Sequence, residues 1–199
     1  MWAAARIASG SSSTPNGTAA ARRASRARSK RDRTAALTRL AVISDTHLPR
    51  GARALPDKCL RLLGASDLIL HGGDFVTAEF LRELRALGPP VEGVYGNMDE
   101  PSLKESLPHE RVVEVGDVRI GMVHIAGPRA GREARLAARF PECGVVIYGH
   151  THVPQVERFQ HLWVLNPGSP TERRSAPSHA MLMLNVRGTR VTPELVTLS

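Results

Sequence analysis

Seven side chains in this sequence have the types and spacing for metal chemistry: Asp45, His47, Asp74, Asn97, His124, His150 and His152. They lie in five short stretches, "SDTH", "GGD", "YGN", "VHI" and "GHTH". Successive stretches fall about 25 residues apart, near the length of one strand-plus-crossover unit. The donors are carboxylate, amide and imidazole with no thiolate, a set that suits Mn, Fe or Zn rather than Ca or a Cys-type structural zinc site. Seven ligands exceed what one tetrahedral ion uses, and they fit two ions sharing a bridging carboxylate. Two ions about 3.5–4 Å apart clamp a phosphoryl group and activate a water. Alternate residues of an extended segment point the same way, so Asp45 with His47, and His150 with His152, are each expected to reach one cluster.

Taken singly, each stretch has an ordinary structural reading. Asp45 and His47 could cap the next helix, Gly-Asp and Gly-Asn are common turn pairs, and His124 could be a hydrogen-bonded strand histidine. His71 is read as structural, because strand alternation aims it away from Asp74. What distinguishes the set is that every member follows a predicted strand. Residues just past the carboxyl ends of strands in an α/β sheet converge on one crevice.

Those strands can be read from the pattern. "LTRLAVISD", "DLILHGGD" and "VEGVYGN" are apolar runs ending at the chemistry-bearing residues. Between them, "LPDKCLRLLGA" and "TAEFLRELRALG" carry apolar residues at helical spacing, the second with Thr77 as N-cap and Gly88-Pro89-Pro90 as stop. This alternation predicts right-handed crossovers and a largely parallel start to a sheet. Further on, "RVVEV" and "VRIGMVHI" flank a Gly116-Asp117 hairpin turn. "REARLAARF" reads as a helix and "GVVIYGH" as a strand. "QVERF", "LWVLNPGS", "HAMLMLNV" and "RVTPELVTL" read as successive strands, with Arg187-Gly188 turning between the last two. The expected fold class is α/β with two sheets, the later one mainly antiparallel.

Charge separates the chain into two parts. The 199 residues carry a formal net charge of +8. Residues 1–39 hold nine Arg or Lys against the single acid Asp32, so the whole imbalance lies there and residues 40–199 are neutral. Residues 1–36 are expected to be a disordered Arg/Ser/Ala-rich tail and 37–199 a single domain. The tail has three readings: a solvated basic segment, an organelle transit peptide, or a weak anchor for an anionic polymer. A neutral body with 4% aromatic residues gives no footprint or stacking platform for nucleic acid, beyond weak contacts by the tail. Cys59 and Cys143 form no CxxC pair and suit a reducing compartment, so the expected location is the cytoplasm. No run reaches the roughly 18 apolar residues of a membrane span.

Together, "SDTH", "GGD", "YGNMD", the strand histidine and "GHTH" resemble the calcineurin-like metallophosphoesterase superfamily. The later "NPGS" is similar to the small bacterial and archaeal phosphodiesterases, whose fold is shared with the phosphoesterase-like subunit of retromer. The resemblance covers about residues 37–198. It implies a four-layer α/β/β/α sandwich of two mixed β-sheets flanked by helices. It also implies two divalent ions, Mn first, with Fe, Zn or Ni as alternatives. It gives Asp45, His47 and His152 to one ion and Asn97, His124 and His150 to the other, with Asp74 bridging. Asp74, Asn97 and His124 would position the ions, an attacking hydroxide and the phosphate. The implied activity is hydrolysis of a small phosphodiester, with a cyclic nucleotide one candidate. The alternative is a non-catalytic interaction scaffold on the same fold, and a homo-oligomer is compatible with either. Two positions depart from the pattern. Met98 stands where much of the superfamily has a histidine that protonates the leaving group, and Ile125 follows the strand histidine where Gly is common, which is expected to narrow the pocket.

Overall fold

The computed structural model describes residues 35–51 and 53–198. The expectation of a disordered tail over 1–36 therefore falls almost wholly outside the described residues. Among the described residues, ten strands and four helices follow in chain order. They are β1 Thr38–Ile43, α1 Asp57–Gly64, β2 Leu68–His71, α2 Ala78–Ala86, β3 Val91–Gly93, α3 Pro101–Ser106 and β4 Glu110–Val115. Then come β5 Val118–Val123, α4 Arg132–Arg139, β6 Val145–Tyr148, β7 Gln155–Phe159, β8 Leu162–Asn166, β9 His179–Arg187 and β10 Arg190–Leu198.

The strands form two five-stranded sheets, ordered β10-β9-β1-β2-β3 and β4-β5-β6-β8-β7. β1, β2 and β3 are parallel, as their helical crossovers require. β9 and β10 return to the first sheet as an antiparallel hairpin beside β1. The second sheet is mixed, not mainly antiparallel: β4 and β7 are antiparallel to their neighbours, while β5, β6 and β8 run parallel. α4 is the reason, since a helix between β5 and β6 brings the chain back in the same direction. The last hairpin turns at Gly188-Thr189, because Arg187 already pairs with Arg190. α3 adds a helix that has no apolar period to announce it, only Pro101 at its first position.

Strand alternation builds the layers. On β1, Leu40 and Val42 face the second sheet while Ala41 and Ile43 face the helices. On β6, Val145 and Ile147 meet the first sheet, and Val146 and Tyr148 meet Leu136 of α4. The order is helices, sheet, sheet, helix. Thr77 caps α2 by accepting from the Phe80 N–H at 3.3 Å, and Glu79 in the first turn favours that end of the helix dipole. No helix among the described residues is long and apolar enough to cross a membrane.

Ile147 is fully buried between the sheets, so Ile147→Ala leaves a cavity that neither layer can close. It is expected to cost about 2–5 kcal/mol, read as a lower urea midpoint, whereas Thr77→Ala should cost about 1 kcal/mol. Equal, small losses for both would mean that the inter-sheet layer is loosely packed.

Candidate metal centre

The carboxyl ends of β1, β2, β3, β5 and β6 open onto one edge of the sandwich, and the loops leaving them are laced together. The Asp45 N–H donates to Gly73 O at 2.9 Å, His47 N–H to Asp74 O at 3.1 Å, and Gly149 N–H to His124 O at 3.0 Å. This lacing brings all seven expected side chains together. Asp45, His47 and His152 form one cluster of converging donor atoms, and Asp45, Asp74 and His124 another. All five are buried. Asn97 and His150 lie on the open side: Asn97 Oδ1 is 2.8 Å from His150 Nδ1 and 3.2 Å from His124 Nε2.

Alternation on an extended strand is not what makes the pairs converge. Asp45, His47, Asp74, His150 and His152 all have positive φ, between 46° and 69°, so their segments curl in the left-handed region instead of extending. The curl turns backbone donors inward as well. The His150 N–H lies 3.0 Å from both Asp45 carboxylate oxygens. Ser44 Oγ donates to Asp45 Oδ2 at 2.7 Å, and the Met98 N–H donates to Asp74 Oδ1 at 2.8 Å. The chain passes so close that a side chain at Gly149 would collide with Ser44 and Asp45, and one at Gly96 with Asp74.

The histidine tautomers decide what the centre can hold. His124 Nδ1 donates to Gly72 O at 2.8 Å, and His152 Nδ1 donates to Glu172 O. Their Nε2 lone pairs therefore face inward. That of His124 meets Asp74 Oδ2 at 3.3 Å and Asn97 Oδ1 at 3.2 Å. That of His152 meets His47 Nε2 at 3.3 Å and Asp45 Oδ1 at 3.3 Å. Lone pairs facing lone pairs repel, and a cation between them removes the repulsion. Histidines oriented through their second nitrogen are the usual metal-holding arrangement. The residues fit divalent ions. His47 Nδ1 is buried with no hydrogen-bond partner among the described residues, so its ring is held from the Nε2 side, 3.6 Å from Asp74 Oδ2.

Protonation follows the same crowding when no cation is present. Burial pushes the Asp45 carboxyl up to about 6, with nearby His124 pulling the other way. Burial opposes charge on His124, yet its bond to Asp74 and the field of Asp45 raise its pKa above the ordinary value. Burial also opposes charge on Asp74, but the bond and charge of His124, the Met98 N–H and the charge of His47 together outweigh it and lower its pKa. The rings of His47, His150 and His152 are shifted down by burial.

His71 lies apart. Its ring bonds Thr46 Oγ1 at 3.1 Å, accepts from the Gly73 N–H at 3.1 Å and stacks on Phe75. Ile125 is 42% exposed, so its side chain is not packed into the buried part of the site as expected. Several supporting residues carry no metal-like signal. The Asp99 carboxylate accepts from the N–H groups of Asp74, Val76 and Gly96 at 3.2, 2.7 and 2.7 Å, tying two ligand loops together. Ser169 Oγ donates to Asp45 O at 2.7 Å, and Asn166 Nδ2 donates to Gly149 O at 3.0 Å. Those two belong to "NPGS", whose polar ends after an apolar strand were the available sign. Glu172 has no such sign, yet its carboxylate lies 3.9 Å from His47 Nε2.

Residues 38–189 match the model of the calcineurin-like phosphoesterase superfamily domain. A probable metallophosphoesterase of Methanothermobacter thermautotrophicus is 36% identical over 160 residues, covering 79% of this chain and 91% of that protein. A Thermotoga maritima protein solved by NMR is 35% identical with a TM-score of 0.65, covering 81% of this chain and 99% of that one. Vacuolar protein sorting 29 of Cryptosporidium parvum superposes with a TM-score of 0.70 at 22% identity, covering 82% of this chain and 92% of that one.

His71 is fully buried and its pKa is held well below 6.5 by that burial. A depressed folded-state pKa contributes stability that is complete above about 6.5 and lost as pH falls below it, because the unfolded state then takes up the proton. Urea denaturation of metal-stripped protein at pH 7.5, 6.5 and 5.5 is expected to show a shallower acid loss in His71→Gln than in the wild type. Parallel curves would mean that His71 is protonated in the fold.

Proposed function

We propose that this chain, which belongs to the calcineurin-like phosphoesterase superfamily, hydrolyses a small phosphodiester with the help of two divalent ions, Mn first among them. The observation that carries this reading is the inward convergence of His124 Nε2, Asp74 Oδ2 and Asn97 Oδ1 beside that of His47 and His152. Asp45, His47 and His152 would hold one ion, and Asn97, His124 and His150 the other. Asp74 would lie between them, since its Oδ2 approaches His47 on one side and His124 on the other. When bound, the ions would activate water and offset charge on the phosphoryl oxygens.

The protein's own residues then set orientation and proton supply. Asn97 is exposed and His150 half-buried, so a phosphate reaches the centre from their side. Met98 is 52% exposed, and only its backbone N–H serves the site, by fixing Asp74. A thioether donates no proton, so the leaving group departs unassisted at this position. Loss of such an acid typically costs about 10²–10⁴-fold, most for poor leaving groups. That favours diesters with good leaving groups. Cys59 and Cys143 are both free and buried, in keeping with a cytoplasmic location.

The competing reading is a non-catalytic scaffold, suggested by the fold shared with vacuolar protein sorting 29. Purified protein assayed with bis(p-nitrophenyl) phosphate, with and without added Mn, separates the two. Metal-dependent turnover that falls about 100-fold or more in His150→Ala is expected, with aryl diesters cleaved far faster than alkyl ones. A wild type as inert as His150→Ala under Mn, Fe, Zn and Ni supports the scaffold.

A further inference from the structure

Beside the centre lies a charged cluster that the ligand set does not use. Three guanidinium groups surround the single carboxylate of Glu172: Arg53 at 3.1 Å, Arg50 at 3.8 Å and Arg174 at 3.8 Å. Arg50 and Arg53 come from the loop between β1 and α1, and Arg174 from the loop between β8 and β9. One carboxylate cannot neutralise three cations, so the cluster keeps a surplus of positive charge.

The cluster abuts the metal centre directly. The Glu172 carboxylate that binds Arg53 is also 3.9 Å from His47 Nε2, and its carbonyl accepts from His152. Arg174 itself has φ +47°, an uncommon conformation for a residue with a side chain. At 48% exposure, Arg174 is not held there by burial. Residues kept in such conformations gather at ligand clamps.

A phosphodiester bears one negative charge, and the proposed centre itself takes up that group. The surplus at Arg50, Arg53 and Arg174 stands to one side, within reach of a neighbouring substituent. Planar guanidinium groups match phosphate oxygens in pairs. We infer that Arg53 and Arg174, with Arg50 beside them, form a subsite for a second phosphate carried next to the scissile diester. The substrate class is thus a phosphorylated diester, such as a short oligonucleotide with a terminal phosphate, in preference to a diester with no further charge. This inference deepens the phosphodiesterase reading and rests on it for the word substrate, though not for the anion site itself.

Two measurements test it, on the full chain with Mn. Calorimetric titration with adenosine 5′-monophosphate and adenosine 3′,5′-bisphosphate is expected to show about tenfold tighter binding of the bisphosphate. That preference should shrink in Arg174→Ala and vanish in Arg174→Glu, and it should weaken with added salt. Turnover of ApA and pApA should show the same change in their kcat/KM ratio, with Arg53→Ala as a second variant. A wild type without preference, or one retained in Arg174→Glu, overturns the subsite. If binding follows Arg174 but neither the dinucleotides nor bis(p-nitrophenyl) phosphate is cleaved, the subsite stands and the phosphodiesterase reading fails.

Discussion

Electron-rich groups aimed at one another in a dry interior are the constraint around which this protein is organised. Asp45, Asp74, His47, His124 and His152 are all buried and converge in two clusters whose ligand atoms lie within 4.8 Å of one another, with two imidazole tautomers fixed by backbone carbonyls. Such an arrangement is unfavourable by itself, because burial opposes charge and lone pairs repel. Without a cation, protons must do the compensating, and the raised pKa values of Asp45 and His124 express that. The centre is therefore a region of stored instability that a divalent cation relieves. The rest of the fold must be rigid enough to hold it.

That rigidity is built in at the backbone. Five ligand residues lie at positive φ, each costing about 1–2 kcal/mol relative to ordinary helical or extended backbone, with Asp among the more tolerant types. The compensation comes from the three apolar layers and from polar ties that allow no slack. Asp99 gathers N–H groups from the β2 and β3 loops, and Asn166 and Ser169, at and just past the end of β8, hold the β6 and β1 loops. Glycine at positions 96 and 149 is part of the same solution, since any side chain there would occupy the ligands' space.

Much of this was legible in the sequence because strand periodicity and the acid and histidine positions are local signals. The five stretches sit after strands, and that alone predicts convergence at one sheet edge. The direction of the argument was right for β1, β2 and β3, whose helical crossovers force parallel pairing. The pattern alone suggested a mainly antiparallel second sheet, whereas the two mixed sheets implied by the resemblance are what form: α4 makes β5 and β6 parallel, and β8 pairs with β6 as well as with β7. The alternation argument for His150 and His152 reached the correct neighbours for the wrong reason, since the loop is curled. Asp99, Glu172 and the three arginines around it were not legible. Their meaning lies in contacts between loops far apart in sequence, and a charged residue in a loop is by default a solvated one.

Burial divides the centre into unequal halves. His47, His152 and Asp45 are enclosed, with Glu172 and its arginines as the nearest outer shell. Asn97 and His150 meet solvent, and Met98 beside them presents an apolar, proton-inert surface. The Glu172 side of the centre is thus cationic, and the Asn97 side carries the apolar, exposed Met98. On the proposed reading, a ligand crossing such an opening would be oriented by its own charge asymmetry, its anionic end drawn to the arginines and its uncharged end left to the Met98 side. Orientation by two unlike borders would need no enclosed pocket, so a shallow edge between two sheets would still distinguish the two ends of a small diester, the substrate class proposed above.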